Sequence, residues 1–184
     1  MTAHTPVHPR LSSLDELASL VRAALREGTD WDGIAGSVAT GLRHTQPPVA
    51  SLLTADQLEG DPVAARTHTL HVEPGGSFSI IAMTMRPGQT TTIHDHVTWC
   101  VLAVLQGVEA EELFAVTPDA KNLIATGRGE NRVGEVSAFA PPGDIHRVSN
   151  QGDDVAVSIH VYGTDVSKLG SSVRRVYEQA VIGV

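Results

Sequence analysis

The chain has 184 residues, of which 41% are hydrophobic and 18% charged, and this length and composition are typical of one soluble domain with a proper hydrophobic core. A formal net charge of −8 disfavours general binding to nucleic acid or anionic membranes, and neither a signal peptide nor a membrane span is expected from the apolar pattern. The single cysteine excludes an intrachain disulfide, so a reducing cytoplasm is the expected setting.

The N-terminal part is predicted to be helical. Residues 1–11 contain two prolines and no apolar period, so we expect a flexible arm there. An apolar stripe at helical spacing predicts a helix that begins at Ser13 and ends at Gly28. A second helix is predicted to begin near Asp30 and to end before a pair of prolines. These helices, at about 13–45, are expected to cover one side of the β-structure that follows.

The rest of the chain has the pattern of short β-strands separated by turns. The predicted strands are a segment around two histidines and residues 67–72, 77–85, 108–116, 122–124, 135–139, 145–148 and 155–162. Their regular spacing predicts a mainly β barrel or sandwich at about 64–163. Gly127-Arg128-Gly129 is predicted to be a hairpin loop, and residues 164–184 a closing segment packed on the barrel. Residues 12–184 are therefore predicted to form a single domain.

Two histidines, His94 and His96, stand one residue apart before an apolar run at 101–105. If this stretch is one β-strand, both imidazoles project from the same face while Asp95 points away. Neutral imidazole is a good ligand for first-row metals, so the pair is pre-spaced for a metal. The same spacing also arises by chance among surface histidines, and alone it decides nothing.

The surrounding sequence resembles the first motif of the cupin superfamily, G-x5-H-x-H-x3-4-E-x6-G. The matching residues are Gly88, His94, His96 and Gly107. Cys100 stands at the position of the glutamate.

The second cupin motif, G-x5-P-x-G-x2-H-x3-N, is matched with one additional residue after its first glycine. The matching residues are Gly134, Pro141, Gly143, His146 and Asn150. The resemblance implies a cupin double-stranded β-helix, a jelly-roll barrel, with the N-terminal helices packed on one side. It also implies a metal in the barrel mouth held by His94, His96 and His146.

The missing glutamate and the sequence 158–162, SIHVY, resemble the cysteine dioxygenase family. Its members carry a Ser-x-His-x-Tyr relay beside a three-histidine iron site, which implies such roles for Ser158, His160 and Tyr162. The stretch IHDHVTWCVLAVLQG also resembles the bacterial mercaptopropionate dioxygenase branch. The resemblance covers roughly residues 64–163. It implies an Fe(II)-dependent thiol dioxygenase that adds both atoms of dioxygen to the sulfur of cysteine or mercaptopropionate and yields a sulfinate.

The chemistry of the residues agrees with that activity. Three neutral imidazoles leave the charge of a divalent metal uncompensated, so the site would attract an anion and deprotonate a bound thiol. Three protein ligands also leave room on the metal for a bidentate substrate and dioxygen. Alternation along a strand puts Ser158, His160 and Tyr162 on one face. The alternative is that His160 and Tyr162 are core residues with satisfied polar tips.

The family resemblance implies an arginine for the substrate carboxylate, whose planar fork suits that group. In cysteine-specific members it lies on an early strand, and the corresponding place is near His68, with Arg66 two residues before it. In the mercaptopropionate branch it follows the tyrosine strand, and Arg174 is the candidate if a short insertion at 167–170 is allowed. A solvated surface arginine is the alternative in both cases.

Cys100 has three possible roles. In mammalian-type enzymes of the family, a cysteine at this position is thioether-linked to the relay tyrosine, here Tyr162. A buried free thiol that fills space is the second possibility, and the resemblance to the mercaptopropionate branch, which usually lacks this cysteine, favours it slightly. A fourth metal ligand is the third, and is disfavoured because a thiolate would cancel part of the metal's charge.

Two other functions remain open. Three histidines also suit a zinc or nickel cupin, such as a lyase or isomerase, although that chemistry does not need the relay. A cupin that binds a small molecule without catalysis is the other possibility, and the sequence shows no DNA-binding module that would make it a regulator. The expected partners are a small thiol and dioxygen, with the chain as a monomer or small homo-oligomer.

Overall fold

The computed structural model describes residues 13–182, so the predicted N-terminal arm lies outside the described residues. The fold is mainly β, as predicted, and consists of two curled, mostly antiparallel sheets that face each other with helices on one side. This is the double-stranded β-helix of the cupins.

The strands follow the predicted pattern closely. They are β1 (Arg66–Val72), β2 (Ser79–Met85), β3 (His94–His96), β4 (Cys100–Gln106), β5 (Val108–Val116), β6 (Leu123–Arg132), β7 (Val136–Phe139), β8 (His146–Ser149), β9 (Ala156–Tyr162), β10 (Val173–Val176) and β11 (Val181–Ile182). Strand β6 extends well beyond the predicted 122–124. The strand order is β1-β2-β9-β4-β7 in the five-stranded sheet and β10-β3-β8-β5-β6-β11 in the six-stranded sheet.

Both predicted N-terminal helices are present. Helix α1 (Leu14–Glu27) begins after Ser13, whose hydroxyl accepts a hydrogen bond from the Glu16 N–H at 3.3 Å. Helix α2 (Trp31–His44) begins after Asp30, whose carboxylate caps it in the same way. A 3-10 turn (Val49–Ser51) and the short helix α3 (Ala55–Leu58) connect to β1. No helix within residues 13–182 is long and apolar enough to cross a membrane.

The helices explain why the central strands are buried on both faces. Val101 and Ala103 on β4 and Ile159 and Val161 on β9 pack against helices α1 and α2, as predicted for one side of the barrel. The alternate residues of the same strands point into the barrel, because successive side chains leave a strand on opposite faces. Strand β9 is therefore buried at every position.

Two local predictions were wrong. Gly127-Arg128-Gly129 is not a hairpin loop but lies inside β6, where Gly127 pairs with Leu113 and Gly129 with Glu111. Glycine often marks a turn because it lacks a side chain, but these two glycines lie within a strand at the surface of the sheet. The two histidines and the apolar run also do not share one strand, because the chain leaves β3 after His96 and enters the other sheet as β4 at Cys100.

The closing segment packs on the barrel through residues 164–182. After β9, a short helix α4 (Val166–Leu169) leads to β10, which pairs antiparallel with the histidine strand β3. Strand β11 then runs parallel to β6. The end of the chain thereby completes one edge of the six-stranded sheet, next to the two histidines.

Candidate metal centre

The structure brings His94, His96 and His146 together inside the barrel. One ligand atom from each ring lies within 4.8 Å of the corresponding atoms of the other two, and all three side chains are buried. His94 and His146 are directly paired residues of the antiparallel strands β3 and β8, and His96 follows His94 on the same face. Strand pairing, rather than a flexible loop, therefore sets the distance between the ligands.

Each of these imidazoles is oriented through its Nδ1 atom. The Nδ1 of His94 lies 2.9 Å from the Thr92 carbonyl oxygen, that of His96 lies 3.0 Å from Asp144 Oδ2, and that of His146 lies 2.7 Å from Glu111 Oε1. Carbonyl and carboxylate oxygens accept hydrogen bonds, so each Nδ1 carries the hydrogen and each Nε2 has a free lone pair. Such orienting bonds are the usual partners of metal-binding histidines.

Burial favours the neutral form of the His94 and His96 imidazoles. It is the main reason that the pKa of His94 falls to about 4, and the proximity of His146 lowers it further. Burial also lowers the pKa of His96, although its hydrogen bond to Asp144 acts in the opposite direction. Only neutral imidazole binds a metal, so this environment holds the nitrogens ready at physiological pH. Three convergent neutral nitrogen donors fit a first-row divalent ion.

Ser158, His160 and Tyr162 form a hydrogen-bonded chain beside the three histidines. The Ser158 hydroxyl lies 3.0 Å from His160 Nε2, and the Tyr162 hydroxyl lies 3.2 Å from His160 Nδ1. Burial lowers the pKa of His160 to about 3 and raises that of Tyr162, so both side chains are neutral. Both neighbours of His160 can donate or accept, so these contacts do not fix which of its nitrogens carries the hydrogen.

Cys100 lies next to Tyr162. The two residues are directly paired between the antiparallel strands β4 and β9, and Cys100 is a buried free cysteine. Burial raises the pKa of its thiol far above the usual range, and an interaction with the Tyr162 hydroxyl lowers it only in part. The sulfur is therefore a neutral thiol that contacts the relay, and it is not a member of the three-histidine cluster.

A small cavity of about 170 Å³ opens onto this site. His94, His146, His160 and Tyr162 line it together with Thr67, Met83, Thr91, Thr92, Val148, Ser171, Ser172 and Val173. The last three of these residues belong to the closing segment, which therefore forms one wall of the cavity. The lining has hydroxyl groups but no lysine or arginine side chain.

The predicted carboxylate-binding residue Arg174 lies outside this cavity. Its guanidinium contacts Asp95, with Nη2 2.5 Å from Oδ2, and the same oxygen accepts hydrogen bonds from Arg175 and from the Tyr177 hydroxyl. Burial alone would raise the pKa of Asp95, but these three donors bring it down to about 2. Asp95 thus points away from the three histidines, as its position between His94 and His96 predicts. Its hydrogen bonds to Arg174 and Arg175 connect β3 to β10.

The other two predicted carboxylate-binding residues lie elsewhere. Arg66 is paired with Asp61 at 3.0 Å, and its side chain is 63% exposed. His68 contacts Gln57 through Nδ1 and lines a separate surface depression together with Arg66. Alternation along β1 explains this position, because Thr67 faces the cavity and its neighbours therefore face away.

Sequence reasoning missed several residues that shape the site. Asp144 and Glu111 orient two of the metal ligands, and Thr67, Ser171 and Ser172 line the cavity. Asp144 could have been found, since it stands two residues before His146 in the second motif. The serines could not, because only the tertiary structure brings the closing segment to the barrel mouth.

Residues 61–172 match the family model described as cysteine dioxygenase type I. The match covers more than half of the chain. The chain belongs to the cysteine dioxygenase type I family. Together with the buried three-histidine cluster, membership indicates a metal-dependent oxidoreductase of the cupin fold.

Solved structures with a similar fold are distant in sequence. A recombinant oxalate oxidase in complex with glycolate is 17% identical with a TM-score of 0.46, and the match covers 57% of this chain and 53% of that one. The chain thus spans about half the length of that relative. A protein with a double-stranded β-helix domain from Klebsiella pneumoniae is 13% identical with a TM-score of 0.47, covering 61% and 89%. A cupin superfamily protein from Desulfitobacterium hafniense is 16% identical with a TM-score of 0.47, covering 65% and 92%.

The three histidines should be required together for metal binding. Changing His94, His96 or His146 to alanine removes one of three ligands, so we expect each variant to lose most of its metal. Asp144→Asn removes only the orienting carboxylate of His96 and should weaken metal affinity by roughly 10- to 100-fold. Elemental analysis and competition with a chelator measure both effects.

The exposed His44 on helix α2 provides the control. His44→Ala should retain the metal content of the unchanged protein. Full metal occupancy in any of the three histidine variants would remove that residue from the site.

Proposed function

We propose that the protein is an Fe(II)-dependent thiol dioxygenase that converts a small thiol, cysteine or mercaptopropionate, and dioxygen into a sulfinate. One observation carries the proposal: a complete Ser158-His160-Tyr162 hydrogen-bonded chain ends at the cavity that His94 and His146 of the three-histidine cluster line. Family membership supports the same reaction class. A simple metal store or sugar-binding cupin has no use for such a chain.

The donor set supports a site that activates a thiol. Bound Fe(II) would supply a coordination centre that acidifies the substrate thiol and brings it next to dioxygen. Within the barrel, Thr92, Asp144 and Glu111 hold the three rings in place and keep each Nδ1 protonated. No carboxylate belongs to the cluster, because Cys100 occupies the position where the cupin motif has glutamate.

Tyr162 is the residue of the relay that can act on the substrate. It lines the cavity, whereas Ser158 lies deeper in the barrel and does not. The raised pKa keeps its phenol protonated, so it can donate a hydrogen bond to an oxygen atom in the cavity. His160 holds the phenol from behind, and Ser158 holds His160.

The cavity supports a small substrate. A volume of about 170 Å³ suits a molecule of few heavy atoms. Hydroxyl groups of Thr67, Ser171 and Ser172 offer hydrogen bonds around it. The closing segment and the barrel also restrict the access of water to the reacting groups.

Oxygen uptake tests the proposal. Iron-loaded protein should consume dioxygen in proportion to added mercaptopropionate or cysteine and release the sulfinate, with one molecule of dioxygen used per thiol. Tyr162→Phe keeps the ring and removes the hydroxyl, so it should lower kcat by roughly 100-fold. An oxygen electrode combined with mass spectrometry of the product provides the measurement.

The outcome against the proposal is equally clear. If iron-loaded protein shows no thiol-dependent oxygen uptake with a broad panel of thiols, another metal-dependent cupin reaction takes its place. A lyase or isomerase that uses zinc or nickel would then be active without dioxygen.

We further propose that Arg174 binds the substrate carboxylate. The Arg174 guanidinium contacts Asp95 outside the cavity, so binding the substrate requires it to turn toward the opening that Ser171, Ser172 and Val173 line. Asp95 keeps Arg175 and Tyr177 as partners when Arg174 turns away. Because a charged hydrogen bond would be lost, Arg174→Ala should lower kcat/KM for mercaptopropionate by roughly 100-fold. A thiol without a carboxylate, such as 2-mercaptoethanol, should be affected much less. Steady-state kinetics with both thiols measures the difference.

Arg66→Ala is the matched control, since Arg66 is exposed and paired with Asp61. It should leave both substrates unaffected. Equal losses for both thiols in Arg174→Ala would instead assign Arg174 a purely structural role on Asp95, and a selective loss in Arg66→Ala would move the carboxylate site to β1.

Cys100 is expected to remain a free thiol. Its neutral, buried state leaves almost no thiolate to react, although the register places it beside Tyr162. After turnover and denaturation, the only thiol of the chain should therefore be fully alkylated, as intact-protein mass spectrometry can show. A loss of two hydrogens together with resistance to alkylation would demonstrate a thioether to Tyr162 and reverse this assignment.

A further inference from the structure

A buried carboxyl group, Glu109, lies in the barrel interior and has no role in the site described so far. It is on β5, with 0% of its surface exposed to solvent. Neither carboxyl oxygen has a hydrogen-bond partner within residues 13–182. Burying an unpaired carboxylate costs several kcal/mol, so such a group is either protonated, functional or both.

The surroundings of Glu109 connect it to the relay. The Ser158 hydroxyl lies near enough to lower the pKa of Glu109, although outside hydrogen-bonding geometry. Ser158 in turn contacts His160, and the charge of Glu109 acts on Tyr162, whose pKa it raises. Glu109 therefore stands behind Ser158, at the end of the chain that is remote from the cavity.

The other ionisable groups around Glu109 leave its charge uncompensated. On its own strand, Glu111 is a second carboxyl whose negative charge acts on Glu109. On the inner face of β9 the ionisable groups are the neutral His160 and Tyr162, and on that of β8 the group is His146, whose Nδ1 contacts Glu111. On β6 the residue opposite is the uncharged Asn131. Burial first, and Glu111 second, raise the pKa of Glu109 to about 7, against the opposing effect of Ser158.

Resting on the proposed function, we propose that Glu109 is a buried proton store that exchanges one proton with the cavity through Ser158, His160 and Tyr162. It acts through these residues and does not touch the substrate, so it is a positioning residue of the relay. Its protonation state determines the direction of every hydrogen bond in the chain.

The two states follow from the donors and acceptors available. When Glu109 is ionised, Ser158 donates to it, His160 donates to Ser158 through Nε2, and Tyr162 donates to His160 Nδ1. The Tyr162 oxygen then presents only lone pairs to the cavity. When Glu109 is protonated, it donates a hydrogen bond to Ser158, and Ser158 donates one to His160 Nε2. His160 then donates through Nδ1 to the Tyr162 oxygen, so the Tyr162 hydroxyl can donate into the cavity.

Passing one proton along the chain converts one state into the other. The transfer begins when a thiol in the cavity gives its proton to the Tyr162 oxygen and Tyr162 passes its own proton to His160 Nδ1. His160 then gives the proton on Nε2 to Ser158, and Ser158 gives its proton to Glu109. Each intermediate residue gains and loses one proton, Glu109 gains one, and the thiol becomes a thiolate. The reaction of a thiol with dioxygen to an ionised sulfinate releases one proton overall, so the store returns to its initial state by releasing that proton.

Infrared spectroscopy tests the store without any metal or substrate. The metal-free protein should show the carbonyl band of a protonated carboxyl group that disappears as the pH rises through about 7. Glu109→Gln preserves the shape and removes this band. Glu130→Gln, which changes an exposed glutamate on the neighbouring strand β6, is the matched control and should retain it.

Kinetics tests the connection to the relay. In the iron-loaded enzyme, Glu109→Gln should lower kcat/KM for the thiol by roughly 100-fold and remove the inflection near pH 7 from its pH profile. Ser158→Ala interrupts the chain but leaves Glu109 in place, so it should keep the infrared band while showing the same kinetic loss. This second variant serves equally well if Glu109→Gln fails to fold, and circular dichroism monitors folding in both.

Each result is decisive. If no infrared band both titrates and disappears in Glu109→Gln, Glu109 is not a proton store, whether or not the enzyme oxidises thiols. A titrating band with unchanged pH profiles in Glu109→Gln and Ser158→Ala also overturns the proposal, because Glu109 is then a structural acid. In a third outcome, the band titrates as expected while the unchanged enzyme oxidises no thiol. That result would contradict the proposed reaction, and with it the role of Glu109 in that reaction, but it would leave the ionisation of Glu109 near pH 7 established.

Discussion

The alternation of side chains along strands that are buried on both faces is the constraint on which this structure depends. On β9, Ile159 and Val161 pack under the helices, while Ser158, His160 and Tyr162 point into the barrel. A shift of one residue in register would put the polar residues among the helices and the apolar ones at the metal. The two helices therefore protect the site indirectly, because the helix layer fixes which face of β9 is the inner one.

The free-energy cost of burying unpaired polar groups explains how the side chains inside the barrel are arranged. Every metal-binding imidazole contacts an acceptor through Nδ1, so its only unsatisfied atom is the nitrogen that a metal would bind. His160 differs, because both of its neighbours can donate or accept. The same cavity thus contains rings with a fixed tautomer, suited to ligation, and one ring with a reversible tautomer, suited to proton transfer.

The closing segment connects the wall of the cavity to the back of the histidine strand. Asp95 accepts hydrogen bonds from two arginines and a tyrosine of this segment, on the face of β3 opposite to the metal ligands. The segment then places Ser171, Ser172 and Val173 at the cavity. One residue between two of the three histidines therefore anchors the part of the chain that forms one wall of the cavity.

The sequence by itself determined the barrel, the helices on one side, the three converging histidines and the relay, because these depend on a period of two residues and on motif spacing. It could not determine which loop residues orient the ligands or where the arginines lie, since side chains such as Arg174 choose among partners that are distant along the chain. The break between β3 and β4 is also hidden in the sequence, because residues 97–99 between the histidines and the apolar run include no glycine or proline to mark a turn. Glu109 shows the limit most clearly. Its sequence neighbours are ordinary for an exposed strand, and only the closure of the two sheets buries its carboxyl behind Ser158, where the loss of solvent raises its pKa to about 7.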